Sequence, residues 1–257
     1  MNKLFNLKRF TRLMVKHTAE HYKSYLMSLI VLIGVMILGG SFLVYMIPGS
    51  MDTGMQSMLF GTILLLAGTI FTSTIFSDFG DKTKSIVALS LPATHFEKYF
   101  LAWVYSFVFF LLIYTGSFYL ILVFLLNLKP VPGHPVEIYN VFNSQLGYLM
   151  IILFALLHSI AFYGAIFYKK LHFIKTAFVF FICFALLILI NRIFLDLLLQ
   201  KRVEPSMPFG NIRLIENAKE ISVNLAQSAH DPVLWIMIAV TLLFWSATYF
   251  RLKEKQA

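Results

Sequence analysis

Charge is what this chain has least of. Only 13% of its 257 residues are Asp, Glu, Lys or Arg, while 59% are hydrophobic. A soluble domain runs near a quarter charged and about half apolar. Too little polar sequence is present to cover a soluble body of this length, which excludes an ordinary globular domain. Cysteine is almost absent as well. Cys183, the single one, lies inside an apolar run and forms no intrachain disulfide, so cysteine usage says nothing about compartment. No GxxxxGK[ST] phosphate loop occurs, so ATP has no backbone cradle here. There is no HExxH, no Cys or His set at metal spacing and no GxSxG, and hence no expected catalytic residue, metal or cofactor. No internal repeat or low-complexity tract divides the chain, which reads as one transmembrane domain, 1–257. No cleavable signal peptide is expected, because the first long apolar run follows a basic stretch of about 25 residues and no small-residue cleavage site comes after it.

What is present is a series of long apolar runs. A helix needs roughly 20 such residues to cross about 30 Å of hydrocarbon. Six segments qualify: Leu26–Ile47, Ser57–Phe76, Phe100–Leu126, Leu146–Tyr168, Thr176–Leu199 and Val233–Phe250. The expected fold is therefore an all-α integral membrane protein with six transmembrane helices. The third run is longer than a span requires and should tilt or extend past the interface.

The net charge of +9 is carried in short clusters beside these runs. Lys and Arg placed so set topology and meet anionic headgroups, so the expected partner is the lipid bilayer and not nucleic acid. With the N-terminus inside, fifteen of the 21 basic residues fall on the inner side, in 1–25, 77–99, 169–175 and 251–255. Five fall outside: Lys129, Lys201, Arg202, Arg213 and Lys219. The bias predicts a multi-pass protein with both termini cytoplasmic. Trp235 and Trp103, near opposite ends of their spans, fit either interfacial aromatic belts or core packing.

Residues 1–25 carry Lys8, Arg9, Arg12 and Lys16 on one helical side and Leu7, Phe10 and Met14 on the other. That pattern predicts an N-terminal amphipathic interfacial helix; a polybasic flank that only fixes topology is the alternative. The outer segment, 200–231, contains Ile212, Ile215, Ala218, Ile221 and Leu225 at spacings of three and four, after a break at Pro205, Pro208 and Gly210. It predicts a short helix before the last span. Gly34, Gly39, Gly40, Gly61 and Gly68 suit close helix approach.

Polar residues within the apolar runs are candidate sites because lipid does not satisfy them. His158 is either an interhelical hydrogen bond or a substrate contact; its neighbour Ser159 points about 100° away and makes a poor nucleophile–base pair. Arg192 and Asp196, four residues apart, can pair on one face of the fifth span.

The inner connection 77–99 is long for neighbouring helices and ends Leu89-Ser-Leu91-Pro92-Ala-Thr94-His-Phe-Glu97-Lys98-Tyr99. Leu91, Pro92, Thr94, Glu97 and Lys98 resemble the loop before the third helix of type-2 ATP-binding-cassette (ABC) permeases. The layout of six spans, an N-terminal interfacial helix and a helical outer segment is similar too. The resemblance implies a permease subunit of an ABC exporter in the cytoplasmic (inner) membrane of a bacterium. Such a subunit dimerises with a second permease subunit, identical or related, and docks separate ABC ATPase subunits that hydrolyse the ATP. The connection 77–99 would be the cytoplasmic coupling loop. Leu89, Leu91 and Phe96 would serve as apolar anchors beside the charges of Asp81, Lys84, Glu97 and Lys98. The other reading is a membrane-embedded assembly or immunity component with no transport cycle.

Overall fold

The computed structural model describes residues 5–46, 49, 51–75, 93–129, 137–200, 202–204, 206–208, 210–216, 219–223 and 230–256. Most of the connection from Ser77 lies outside these, including Asp81, Lys84, Leu89, Leu91 and Pro92.

Among the described residues, six helices are long and apolar enough to cross a membrane. They are α1 (Leu7–Met46), α2 (Thr53–Thr74), α3 (His95–Leu128), α4 (Gln145–Phe167), α5 (His172–Leu199) and α6 (His230–Gln256). Large apolar side chains such as Leu38, Leu120, Phe178 and Leu197 face outward. A bilayer covers that kind of surface and leaves each helix to satisfy its own backbone, which gives a multi-pass all-α membrane architecture.

The N-terminal amphipathic segment is helical, but it is not a separate element. It runs without a break into the first span as one helix of 40 residues, about 60 Å long and twice the hydrocarbon thickness. No proline or glycine occurs from Leu7 to Ile33, so nothing interrupts the hydrogen-bond ladder between the basic part and the apolar part. The third span is also long, 34 residues, as its apolar run predicted.

The main core lies among α1, α2, α3 and α4. α1 contributes Leu32, Met36, Gly40 and Val44, a stripe at every fourth residue. Phe60, Tyr114, Phe118, Leu122 and Phe154 fill the centre, and the Tyr114 hydroxyl donates to the Phe60 carbonyl at 2.6 Å. Glycine sets the approach of α2 and α4: a Cβ on Gly68 would lie 2.3 Å from Phe154 Cε2 and 3.0 Å from Phe110 Cε1. Two rigid rings cannot yield to it cheaply. Gly68→Ala should therefore cost about 1–3 kcal/mol of stability, read as a lower unfolding temperature in detergent. Gly40 and Gly61 are similarly packed, whereas Gly34 and Gly39 face open space. A second core joins α3, α4 and α6 through Ala102, Phe162, Ala165, Ile166 and Leu252. α5 packs on the outside of α4, with Thr176 against Gly164, and none of its 28 residues is buried.

Phe5, near the start of the described chain, and Tyr249 of α6 lie at one end of the bundle. Phe5 packs on Phe96 and Phe100, and Phe96 packs on Tyr249 of α6. At the far end Gln56 closes the structure. Its amide donates to the carbonyls of Met51 and Glu137 and accepts from Tyr139 N–H, at 2.8–3.0 Å.

The segment 200–231, expected to be helical, is not helical where it is described. It forms an antiparallel sheet in the order β1 (Arg202–Val203), β2 (Ile212–Glu216), β3 (Lys219–Val223). Ile212 pairs with Val223, Leu214 with Ile221 and Glu216 with Lys219. The three-and-four spacing of Ile212, Ile215 and Ile221 coexists with an alternation of Ile212 and Leu214, then Ile221 and Val223. In a stretch this rich in Ile and Val the period of two prevailed. Two α5 side chains hold this segment down: Asp196 Oδ1 accepts from Val203 N–H at 2.7 Å, and Asn191 donates to the Ser206 carbonyl at 3.0 Å.

Candidate functional site at the terminal end of the third span

The first turn of α3 is built by its own sequence. Thr94-His-Phe-Glu97 forms a capping box: the Thr94 hydroxyl accepts from Glu97 N–H at 3.3 Å, and Glu97 Oε2 accepts from Thr94 N–H at 3.0 Å. Two backbone donors that a helix start leaves unpaired are satisfied this way. The same carboxylate also receives the N-terminal helix. Arg9 Nε donates to Oε2 at 2.6 Å and Arg9 Nη2 to Oε1 at 2.8 Å, with Asn6 N–H on Oε1 at 2.8 Å. Glu97 is fully buried, so this planar two-point pairing locks α1 to the start of α3. Rings of Phe5, Phe10, Phe96 and Phe100 pack around it at centroid distances of 5.4–6.3 Å.

Glu97 lies ahead of the apolar run at 100–126, in the first turn of α3. Burial acts to raise its pKa, but Arg9, the N–H groups of Asn6 and Thr94 and the guanidinium charge outweigh it. The carboxyl is held below its ordinary range. The neighbouring Lys98 is buried too, and burial lowers its pKa. Neither side chain stands on an open charged rim. Glu97 is spent within the chain, and of the expected anchors only Phe96 is described as exposed.

Farther along α3 the chain bonds to α4 and α6. The Tyr99 hydroxyl donates to the Trp245 carbonyl at 3.0 Å. Trp245 Nε1–H donates to His158 Nδ1 at 3.1 Å, and His158 Nε2 meets Ser106 Oγ at 2.9 Å. Indole N–H is only a donor, so Nδ1 must accept. The imidazole proton then sits on Nε2 and points at Ser106, whose hydroxyl donates on to the Ala102 carbonyl at 2.7 Å. Every polar atom in this chain is used in one direction, Trp245 to His158 to Ser106 to Ala102. His158 and Ser106 are both fully buried. As arranged the pair activates nothing: the histidine donates to the serine instead of accepting its proton, and no carboxylate orients the ring. Ser159 donates to the Leu156 carbonyl at 2.7 Å and takes no part.

Ser106 lies within a π-helical turn, Val104–Phe109, that interrupts α3. Such turns widen the helix by one residue and often mark functional positions. Tyr105 of the same turn reaches α1, hydrogen-bonding Thr18 and stacking against Tyr25 at 5.7 Å. Trp103 packs edge-on to Trp245 at 5.4 Å, so it is a packing residue, while Trp235 is 70% exposed as a belt residue would be.

Arg192 and Asp196 pair as their spacing allowed, but at 3.8 Å and half exposed, far from this network. Their larger role is the bond from Asp196 to Val203. Sequence reasoning missed Arg9, Tyr99, Ser106 and Trp245. The T-x-x-E signature at Thr94 was the one local sign available; the rest are contacts between residues 52–146 positions apart. Comparison of the chain with protein-family models, with curated proteins and with solved structures returned no match.

Proposed function

We propose that the chain is the membrane-spanning permease subunit of an ABC exporter in a bacterial inner membrane, with both termini cytoplasmic. Separate ABC ATPase subunits would drive it through the connection between α2 and α3. What carries the reading is the network at the terminal end. The first turns of α3 follow directly on that connection and are bonded at once to α1 through Glu97 and Arg9, to α6 through Tyr99, and to α4 through Ser106 and His158. A push on the connection therefore reaches four of the six spans through hydrogen-bonded side chains, without passing through a flexible joint. Rigid-body rocking of packed helices needs this kind of coupling. α5, with no buried residue, offers a lateral apolar face for a second permease subunit, identical or related.

Tagged protein extracted from its native membrane in mild detergent should bring down a stoichiometric subunit containing GxxxxGK[ST]. Leu91→Asp should weaken that association at least tenfold by removing an apolar anchor. Recovery of no ATPase, together with an inert Leu91→Asp variant, would falsify the proposal. Stoichiometric recovery of a partner without ATPase motifs would favour an assembly or immunity role instead.

A further inference from the structure

The short turn between α4 and α5 gathers positive charge from three elements. Tyr168 N–H closes α4 on the Gly164 carbonyl at 3.1 Å, and Leu171, at φ 55°, turns the chain into α5. Lys169 and Lys170 project from the turn and are exposed. Lys175, on the first turn of α5, lies over the Tyr168 ring at 5.7 Å; Arg251 of α6 lies over the adjacent Phe167 ring at 5.4 Å. Lys253 is exposed two residues on. Among the described residues the acid that meets this group is Glu254, bonded to Arg251 at 2.6 Å. Arg251 Nε is buried with no hydrogen-bond partner. The N-terminal basic face differs, since Arg9 and Lys16 there are engaged by Glu97 and Glu20 of the same chain.

The patch is also apolar in a specific way. Phe167, Leu171 and Ile174 are 44–62% exposed and interleave with the lysines. A soluble acidic partner would leave those side chains in water. A bilayer takes them into its acyl region while the cations sit at phosphate level, held by the ring faces beneath two of them.

We propose that this turn, together with the end of α6, is a binding site for the headgroup of an anionic phospholipid. Phe167, Leu171 and Ile174 seat in its acyl layer, and Lys169, Lys170, Lys175 and Arg251 surround its phosphate. The site is independent of any transport role and of which side of the membrane the turn occupies.

Purified full-length protein in nanodiscs tests it. Phosphatidylglycerol should raise the unfolding temperature above its value in phosphatidylcholine alone, and native mass spectrometry should retain phosphatidylglycerol selectively. Lys169→Gln/Lys170→Gln/Lys175→Gln should weaken that retention by roughly a hundredfold, at about fivefold per charge. Lys16→Gln, whose charge Glu20 already engages, should weaken it less than threefold. If the triple variant does not insert, Arg251→Gln and a salt titration of the wild type serve in its place, each expected to weaken retention at least threefold. Equal retention of the two lipids, equal loss in the N-terminal variant, or equal protection by inorganic phosphate would overturn the assignment.

Discussion

Replacing Glu97 by alanine should detach the N-terminal part of α1 from the bundle. The substitution removes one carboxylate that accepts from Arg9, Asn6 and Thr94 at 2.6–3.0 Å. Asn6 and Thr94 N–H lose an ionised acceptor inside the protein, and the capping box of α3 is halved. Removing a buried charged acceptor costs about 2–4 kcal/mol. The expected consequence is a lower unfolding temperature and faster proteolysis among residues 7–16. Arg9→Ala should give the same proteolytic pattern for a different reason, because it leaves a buried carboxylate with its main counter-charge gone. The double variant should fall well short of the sum, since the two residues form one unit.

The same contact carries a pH dependence. The folded-state pKa of Glu97 is depressed, so its stabilisation is present above the unfolded value near 4.5. It is lost as pH falls through the lower folded value. Wild-type protein should therefore show acid-enhanced cleavage of the N-terminal segment below about pH 4.5, and Glu97→Gln should not.

The second large effect is expected at His158. Its ring is enclosed by Phe107, Phe154, Phe162 and Trp245 at 5.1–6.0 Å, and both nitrogens are bonded. His158→Ala opens a cavity and orphans two partners, Trp245 and Ser106. Cavity formation dominates, because interhelical hydrogen bonds within membranes average only about 0.6 kcal/mol. A loss of about 3 kcal/mol is expected for alanine and about 1 kcal/mol for phenylalanine, which refills the volume but makes neither hydrogen bond. Thermal unfolding of the two variants in one detergent measures the split. Near-equal losses would mean that the hydrogen bonds dominate the packing.

The membrane fold was legible because the bilayer imposes a length. Six apolar runs met that length, and six helices follow them closely. Helix ends depended on local chemistry that only partly showed. Nothing between Leu7 and Ile33 could stop a helix, yet the change from basic to apolar sequence suggested two elements where there is one. The segment 200–231 carried two periods at once, and counting Ile212, Ile215 and Ile221 alone concealed the alternation that β2 and β3 use. The candidate site was half visible. Thr94 and Glu97 stood out as a motif, but their partner Arg9 is 88 residues from Glu97, and no local rule joins them. His158 was conspicuous as a polar residue in an apolar run. Its partners Ser106 and Trp245, 52 and 87 residues away, were ordinary members of their own helices. The π-helical turn at Val104–Phe109 left no compositional mark.

The proposed action of an ATPase on this chain through the connection leading into α3 is tested most directly by cross-linking from that connection. Cys183 is the single native cysteine, so Cys183→Ser clears the background for Leu91→Cys. With a short thiol–amine reagent in intact membranes, position 91 should cross-link to a subunit carrying GxxxxGK[ST], and the yield should change when ATP is trapped. Cross-links that reach only lipid or other segments of this chain, with or without nucleotide, would contradict the account.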